Sequence, residues 1–427
     1  MYFIYDVIFI LLFIIYLPAF IFKLLKGKYR EGFWQRFGFI PTEKLRKLTG
    51  KPVIWVHSVS VGETVAASSV VKELKQRYPE YAILFSTVTD TGQRMARKII
   101  NEADVYIYFP LDFSPVLKRV LNKIKPELVV IMESELWPNF VCVSDKIGAS
   151  VILVNGRISD NSAKKYKYLG PYLSDMIKRI ALFCMQSEQD SKYIIGLGAD
   201  SEKVYNTGNT KLDQDYSNVN NEEKDYYYKQ FKLDKTNSIL VVGSTHPDEE
   251  EQFIKVFSTL RQIFKDIIMI IAPRHIKRSA EIADCYSKAG IKTVLRTEIE
   301  QREDEPVIIL NTIGELAKIY SIADLVFIGG SLIEIGGHNI LEPAAHGKLV
   351  FFGPHMFNFK ESTRLLMEQD AAIQVEDLDE LIDRLKEFLA NPELIREYSE
   401  HIKKVIKNNK GASRRTVDLL AEVLRRD

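Results

Sequence analysis

Six short apolar runs in the first half of the chain, PVIWV, AILFSTVT, VYIYFP, ELVVIM, SVILVN and LFCMQS, are separated by helix-length segments of mixed polarity. Each run is roughly four to eight residues long and rich in β-branched and aromatic side chains. Such runs read as strands buried on both faces, and the segments between them as crossover helices on a parallel sheet. The alternation fades after VYNTGN, gives way to a polar, charged stretch at 213–237, and resumes with SILVVGS, IIMIIAP, TVLRT, VIILNT, DLVFIGG and LVFFG. Two doubly wound α/β domains are therefore expected, at 51–212 and 238–390, with 213–237 as linker. A chain of 427 residues has room for both at roughly 100–200 residues per domain. From about Asp377 the apolar spacing is that of surface helices, so closing helices are expected over 391–427. Ligands of such sheets bind outside the carboxyl ends of the strands, which makes the strand-to-helix turns the place to look for chemistry.

The first segment is different. From Tyr2 to Phe22 only Asp6 and Pro18 interrupt the apolar residues, and a helix of that length, roughly 31 Å, matches a bilayer core. A membrane anchor helix is expected over 1–25. No basic residue precedes the run, which argues against a cleaved signal peptide. Lys23, Lys26, Lys28, Arg30 and Arg36 follow it, so the positive-inside rule leaves the rest of the chain in the cytoplasm. The segment at 26–50 mixes these cations with Phe33, Trp34, Phe37 and Phe39. That mixture suits anionic lipid head groups, and it equally suits a segment folded against the first domain. Elsewhere the charges balance: Lys+Arg 58 against Asp+Glu 57 leaves +1, with none of the basic excess of a nucleic-acid binder. Cys142, Cys184 and Cys285 form no C-x-x-C pair, which fits a reducing compartment.

Several turns carry candidate chemistry. In HSVSVGE, His57 to Glu63, Ser60 and Glu63 have capping-box spacing. The same turn follows a strand and opens a helix, so a cap and a catalytic base both fit Glu63. VVIMESELWPN places Glu133 and Glu135 at a strand end; Glu135 fits an ordinary helix start, and Glu133 is the stronger candidate to orient a substrate. Lys211 in NTGNTKLD either projects a cation toward a ligand or is solvated. In the second half, GGSLIEIGGHNILEPAAHG sets glycines after a strand and Asn339 before a helix, a pattern for holding a phosphate or, with Glu342 at the box spacing, for a cap. Glu342 is also placed to accept hydrogen bonds from a sugar diol. IIMIIAPRH puts Pro273, Arg274 and His275 past a strand, where an Arg fork suits phosphate. NTIGEL puts Gly314, Glu315 and Leu316 at a helix start, where backbone groups can read a base edge. GSTHPDEEE brings Asp248, Glu249, Glu250 and Glu251 to a helix N-terminus, where they serve the dipole.

Metal chemistry has little support. Five of seven His residues fall between His246 and His355 without a recognised ligand spacing. Asp213/Asp215 and Asp377/Asp379 are formal D-x-D pairs, but they sit in polar stretches and read as linker and helix-start acids. No G-x-S-x-G elbow is present.

Taken together and in this order, HSVSVGE, ESELWPN, TGNTK, GSTHPDEE, APRH, GEL and GGHNILEPAAHG behind a membrane-proximal segment resemble the bacterial Kdo transferases, which attach 3-deoxy-D-manno-octulosonic acid to the lipid A precursor of lipopolysaccharide. The resemblance implies a two-domain GT-B glycosyltransferase fold, with the donor CMP-Kdo in the C-terminal domain and the acceptor in the N-terminal one. Carried onto matching positions, it makes Glu63 the general base and Glu133 and Lys211 transition-state stabilisers. Pro273, Arg274, Gly314, Glu315, Leu316, Asn339, Ile340, Leu341 and Glu342 would contact CMP. It implies no cofactor and no metal, membrane lipids as neighbours, no nucleic acid, and an inner-membrane protein with its catalytic domains on the cytoplasmic face. Ser58 and Ile340 depart from the Ala and Pro common in the family, and neither is an inferred catalytic group. The rival readings are another GT-B enzyme using a UDP-sugar, such as a lipid-linked N-acetylglucosamine transferase or an epimerase, and a non-catalytic membrane-anchored scaffold.

Overall fold

The computed structural model describes residues 2–25, 30–134, 136–158, 170–214 and 219–424. Lys26, Lys28, Glu135 and Asp215, which the sequence reading singled out, lie outside them. The chain divides into two compact units, Met1–Gln214 with Asn409–Asp427, and Asp215–Asn408.

Unit one holds a seven-stranded sheet: β1 (Val53–Ser58), β2 (Ala82–Thr87), β3 (Val105–Tyr108), β4 (Leu128–Met132), β5 (Ser150–Gly156), β6 (Leu182–Met185) and β7 (Val204–Asn206). The order is β3-β2-β1-β4-β5-β6-β7 with parallel pairing throughout. The first six are the apolar runs of the sequence. Alternation splits each strand between two cores: Trp55, Leu84, Ile107 and Val129 pack on one face with Phe140, while Ile54, Val56, Ile83 and Leu128 pack on the other. The last helix of the chain, Ala412–Leu424, returns to this unit and buries Val417 and Leu420 in the second of these cores. Asp213 holds its start by accepting from the N–H groups of Gly411 and Ser413.

Unit two repeats the plan with β8 (Ile239–Thr245), β9 (Ile268–Pro273), β10 (Thr293–Leu295), β11 (Val307–Ile309), β12 (Leu325–Ile328), β13 (Leu349–Phe352) and β14 (Ile373–Gln374), in the order β10-β11-β9-β8-β12-β13-β14, again all parallel. The stretch read as a linker contains a ten-residue helix, Asn221–Gln230, closed by an Asn220/Glu223 capping box. Asp377 caps the helix Leu378–Ala390 through the N–H groups of Asp379 and Glu380, the helix-start role expected of it. The strand order reverses between β1 and β4 in the first sheet and between β8 and β12 in the second, where β10 and β11 are also exchanged at the far edge. These reversals are the crevices where doubly wound sheets bind ligands.

The N-terminal apolar segment does form a helix, Tyr2–Leu25. Among the described residues, however, no helix is long and apolar enough to cross a membrane, so the anchor expected over 1–25 is not shown as a spanning segment. The helix is tied to the first unit: Asp6 Oδ1 accepts from Ser114 N at 3.1 Å and Asn139 Nδ2 at 2.8 Å, and Phe9 stacks on Phe113. A carboxylate that would be costly in lipid is thus satisfied by protein donors. The segment after it also folds onto the unit. Arg36 is buried and donates to Val88 O at 2.8 Å, and Ile40, Leu45 and Leu48 join the core, while Trp34 and Phe39 stay exposed. Gly32 has φ 66, and a Cβ there would meet the Tyr108 ring at 1.8 Å, so only glycine allows this approach.

Candidate functional site

Ser60 ends the turn after β1 and caps the helix Val61–Arg77, its Oγ accepting from Glu63 N at 3.4 Å. The Glu63 carboxylate folds back onto the same turn. Oε2 accepts from Val59 N at 2.7 Å and Oε1 from Ser60 Oγ at 2.8 Å. Glu63 therefore occupies the capping geometry, with the N–H of Val59 in place of that of Ser60. The group is 6% exposed.

Glu133 lies just past β4, next to β1 in the sheet. Its φ is 56, a left-handed conformation that costs a non-glycine residue roughly 1–2 kcal/mol. It persists because both ends are held: Glu133 N donates to Val154 O at 2.8 Å, and Oε1 meets Lys211 Nζ at 2.8 Å. Lys211 reaches back to the β1 turn, where a Cβ on Gly62 would stand 3.9 Å from its Nζ. Of the three residues chosen from the sequence, Glu133 and Lys211 are thus paired, and their pair lies beside the β1 turn that carries Glu63.

Sequence reasoning missed the residues that hold them. Asn155, at φ 55 in the end of β5, accepts from Thr210 N at 2.9 Å through Oδ1 and accepts from Gln186 Nε2 at 3.0 Å through its carbonyl. Gln186 in turn accepts from Asn209 Nδ2, and Asn209 Oδ1 accepts from Lys211 N at 3.0 Å. Amide side chains at strand ends were the available signal, but their partners are far away in sequence. His57 is fully buried under this turn, stacked on Phe109 at 3.9 Å with Nδ1 against Ser86 Oγ at 2.9 Å. Burial pushes its imidazole down to about 3, against a weaker opposing effect of Ser86, so it is a neutral support for the turn.

In unit two the CMP candidates lie on one sheet edge. Pro273 ends β9 and Arg274 follows it, exposed. Gly314, Glu315 and Leu316 follow β11, and Asn339, Ile340, Leu341 and Glu342 follow β12. Among the described residues the Arg274 side chain makes no hydrogen bond or ion pair. Gly314 has φ 94 with open space around it. Glu315 is engaged by Arg296 Nη2 at 3.0 Å and by the Thr312 hydroxyl. Ile340 is fully buried and sets the helix Leu341–Ala345. Asn339 and Glu342 do not form a capping box. Asn339 Oδ1 accepts from Leu341 N at 3.0 Å, two residues on, and its Nδ2 donates to Glu342 Oε1 at 3.2 Å. Burial raises the Glu342 carboxyl, while Asn339 and Arg274 pull it down.

The glycine loop after β12 differs from the phosphate cradle read in the sequence. Its N–H groups at Gly330, Ser331 and Leu332 are taken by the carboxylate of Glu249 at 2.6, 3.2 and 3.3 Å, which also accepts from His246 N. Glu249 is fully buried, and burial raises its carboxyl against the pull of these N–H groups; it locks this loop to the β8 turn, beyond a dipole partner for its own helix. Among the described residues no group of three or more His, Cys, Asp or Glu side chains is arranged to hold a metal.

The chain is similar to known proteins along nearly its whole length. The family model described as 3-deoxy-D-manno-octulosonic-acid transferase (kdotransferase) matches residues 31–214. The 3-deoxy-D-manno-octulosonic acid transferase of Haemophilus influenzae is 32% identical over 94% of this chain and 93% of its own. Among solved structures, a glycosyltransferase from Rickettsia africae superposes with a TM-score of 0.54, covering 88% of this chain and 100% of that one at 13% identity. A UDP-GlcNAc 2-epimerase from Neisseria meningitidis does so with 0.58, covering 87% and 100% at 12% identity. The two structures share the fold alone, which is GT-B, and a fold common to transferases and epimerases does not decide between them. The sequence relationship does: with a third of its residues shared across almost all of both chains, this protein belongs to the 3-deoxy-D-manno-octulosonic acid transferase family.

Proposed function

We propose that this glycosyltransferase moves Kdo from CMP-Kdo to a lipid A precursor, with inversion at the anomeric carbon and without a bound metal. The observation that carries the reading is the Glu133–Lys211 pair beside the β1 turn that carries Glu63, in a member of this family. Glu63 takes the proton of an acceptor sugar hydroxyl, and the hydroxyl oxygen attacks the carbon that bears CMP. The Lys211 ammonium, aimed by Glu133, offsets the negative charge that grows as the bond to phosphate breaks. On the donor unit, Arg274 takes the phosphate, Glu342 and Asn339 the ribose, and the Gly314–Glu315–Leu316 turn the base. Nothing in this scheme asks for a cofactor.

The substrate is a lipid, and Ile8, Leu11, Leu12 and Ile15 on the N-terminal helix are exposed apolar residues fixed to the same unit as Glu63. We place that helix in the cytoplasmic face of the inner membrane, with the catalytic units on the same side. Incubating the full chain with CMP-Kdo and a tetraacylated lipid A precursor, with and without EDTA, and weighing the lipid by mass spectrometry tests the reading. Kdo-sized increments in both arms are expected, their number giving the residues added; an unchanged lipid mass sinks it, and increments lost with EDTA reject metal independence. CMP binding without UDP binding separates it from the UDP-sugar rivals.

A further inference from the structure

Three imidazoles gather around Arg274, and the donor contacts above use none of them. His246 comes from the turn after β8, His275 from the turn after β9 and His338 from the loop after β12, so three adjacent strand ends converge. The rings of His246 and His338 stack at 5.2 Å, 6° from parallel, with their Nε2 atoms 2.9 Å apart; His275 stands edge-on to His246 at 5.8 Å. An Nε2 to Nε2 hydrogen bond holds one proton, so one ring donates and the other accepts. The accepting ring then carries its own proton on Nδ1 as an outward donor, and the other ring presents an Nδ1 lone pair that a proton can fill. Neither Nδ1 has a protein partner among the described residues.

Burial, and after it Arg274 and the other two imidazoles, pushes His338 down to about 4, and burial, and after it His275, Arg274 and Arg278, lowers His246. Of the other charges that face it, Arg278 is paired with Glu250 and Glu281, and Glu342 is tied to Asn339. The cluster is a cationic Arg274 with adjacent N–H groups, and among the described residues no carboxylate pairs with that cation.

We propose that the His246–His338 pair, with His275 beside it, is a second anion subsite that takes the carboxylate of the donor sugar while Arg274 takes the phosphate. This rests on the reading of CMP-Kdo as donor. In a 2-ulosonic acid nucleotide the carboxylate and the phosphate ester share one carbon, so the two anions arrive side by side and need two separately directed sets of donors. A nucleotide without that carboxylate needs only the first. A carboxylate at the pair also offsets the burial cost of protonating it.

The test compares CMP, which lacks the carboxylate, with CMP-Kdo, on the full-length protein and its His338→Gln and His246→Gln variants. Losing a charge-assisted hydrogen bond should raise the donor KM about 10- to 100-fold, while the Kd for CMP by calorimetry stays within about 3-fold of wild type. An equal loss of CMP affinity makes the pair a support of the nucleotide loop and overturns the proposal, as does an unchanged donor KM. Should the variants fail to fold, the ring Cε1–H resonances of the wild-type histidines decide: they move with CMP-Kdo well beyond any movement with CMP, and equal movement overturns the assignment. A wild-type protein that neither binds CMP nor transfers Kdo would instead remove the donor reading itself.

Discussion

At the β1/β4 reversal Glu63, Glu133 and Lys211 each have a protein partner: Glu63 is held by Val59 and Ser60, and Glu133 is paired with Lys211 at 2.8 Å. At the β8/β12 reversal the buried acid, Glu249, is consumed by backbone N–H groups, and Arg274 stands exposed with no ion-pair partner among the described residues. The two sheets have the same plan, so the difference lies in what the turns carry. A proton acceptor must be aimed before the substrate arrives, because its efficiency depends on reach and angle. A cation meant for an anionic ligand loses part of its value if a protein carboxylate already neutralises it.

The first way to break this comparison is Glu63→Gln. The amide still fits the turn, so the fold and donor binding should survive while turnover falls on the order of 10² to 10⁴; wild-type turnover in a folded variant would reduce Glu63 to a cap. Next in size is the acid stability of unit one. His57 is pushed down to about 3 in the folded protein from 6.5, so between these values the unfolded chain binds a proton that the folded one does not. Its contribution is complete above about 6.5 and falls by roughly 1.4 kcal/mol per pH unit as the pH drops through that window. Denaturant midpoints of His57→Gln across the window should show a shallower fall than wild type.

Arg274→Ala follows, and it probes the other side. Removing an unpaired cation leaves no buried partner exposed, so stability should be unchanged, and CMP affinity measured by calorimetry should weaken by roughly 1.5–3 kcal/mol. The smallest effect is expected from a double-mutant cycle on Glu133→Gln and Lys211→Met, read on kcat/KM: residues in direct contact should couple by roughly 0.5–3 kcal/mol. Additive losses would mean that Glu133 does not aim Lys211.

Much of this was legible before any coordinates. The runs PVIWV to LFCMQS became β1 to β6 because burial on both sheet faces demands continuous apolar residues, which composition shows directly. The turns that end the runs of the two halves carried Glu63 and Glu133, and Arg274 and Glu342, since strand ends are where these folds place ligands. Three features were not legible. The Glu249 carboxylate reaches the N–H groups of residues more than 80 positions away, so a glycine loop that looked ready for phosphate is filled from within. Asn155 and Asn209 gain meaning only by bonding to Thr210 and Lys211. Asp6 looked like an interruption of a membrane segment until Ser114 and Asn139 appeared beside it.

The sequence by itself determined the two parallel sheets, their crossover helices and the set of turns that bear chemistry, because side-chain periodicity and turn residues act over a few neighbours along the chain. Only the tertiary structure decided which carboxylates are consumed internally and which cation is left for a ligand. Those outcomes depend on partners brought together from distant segments, and on rotamers that no local pattern encodes.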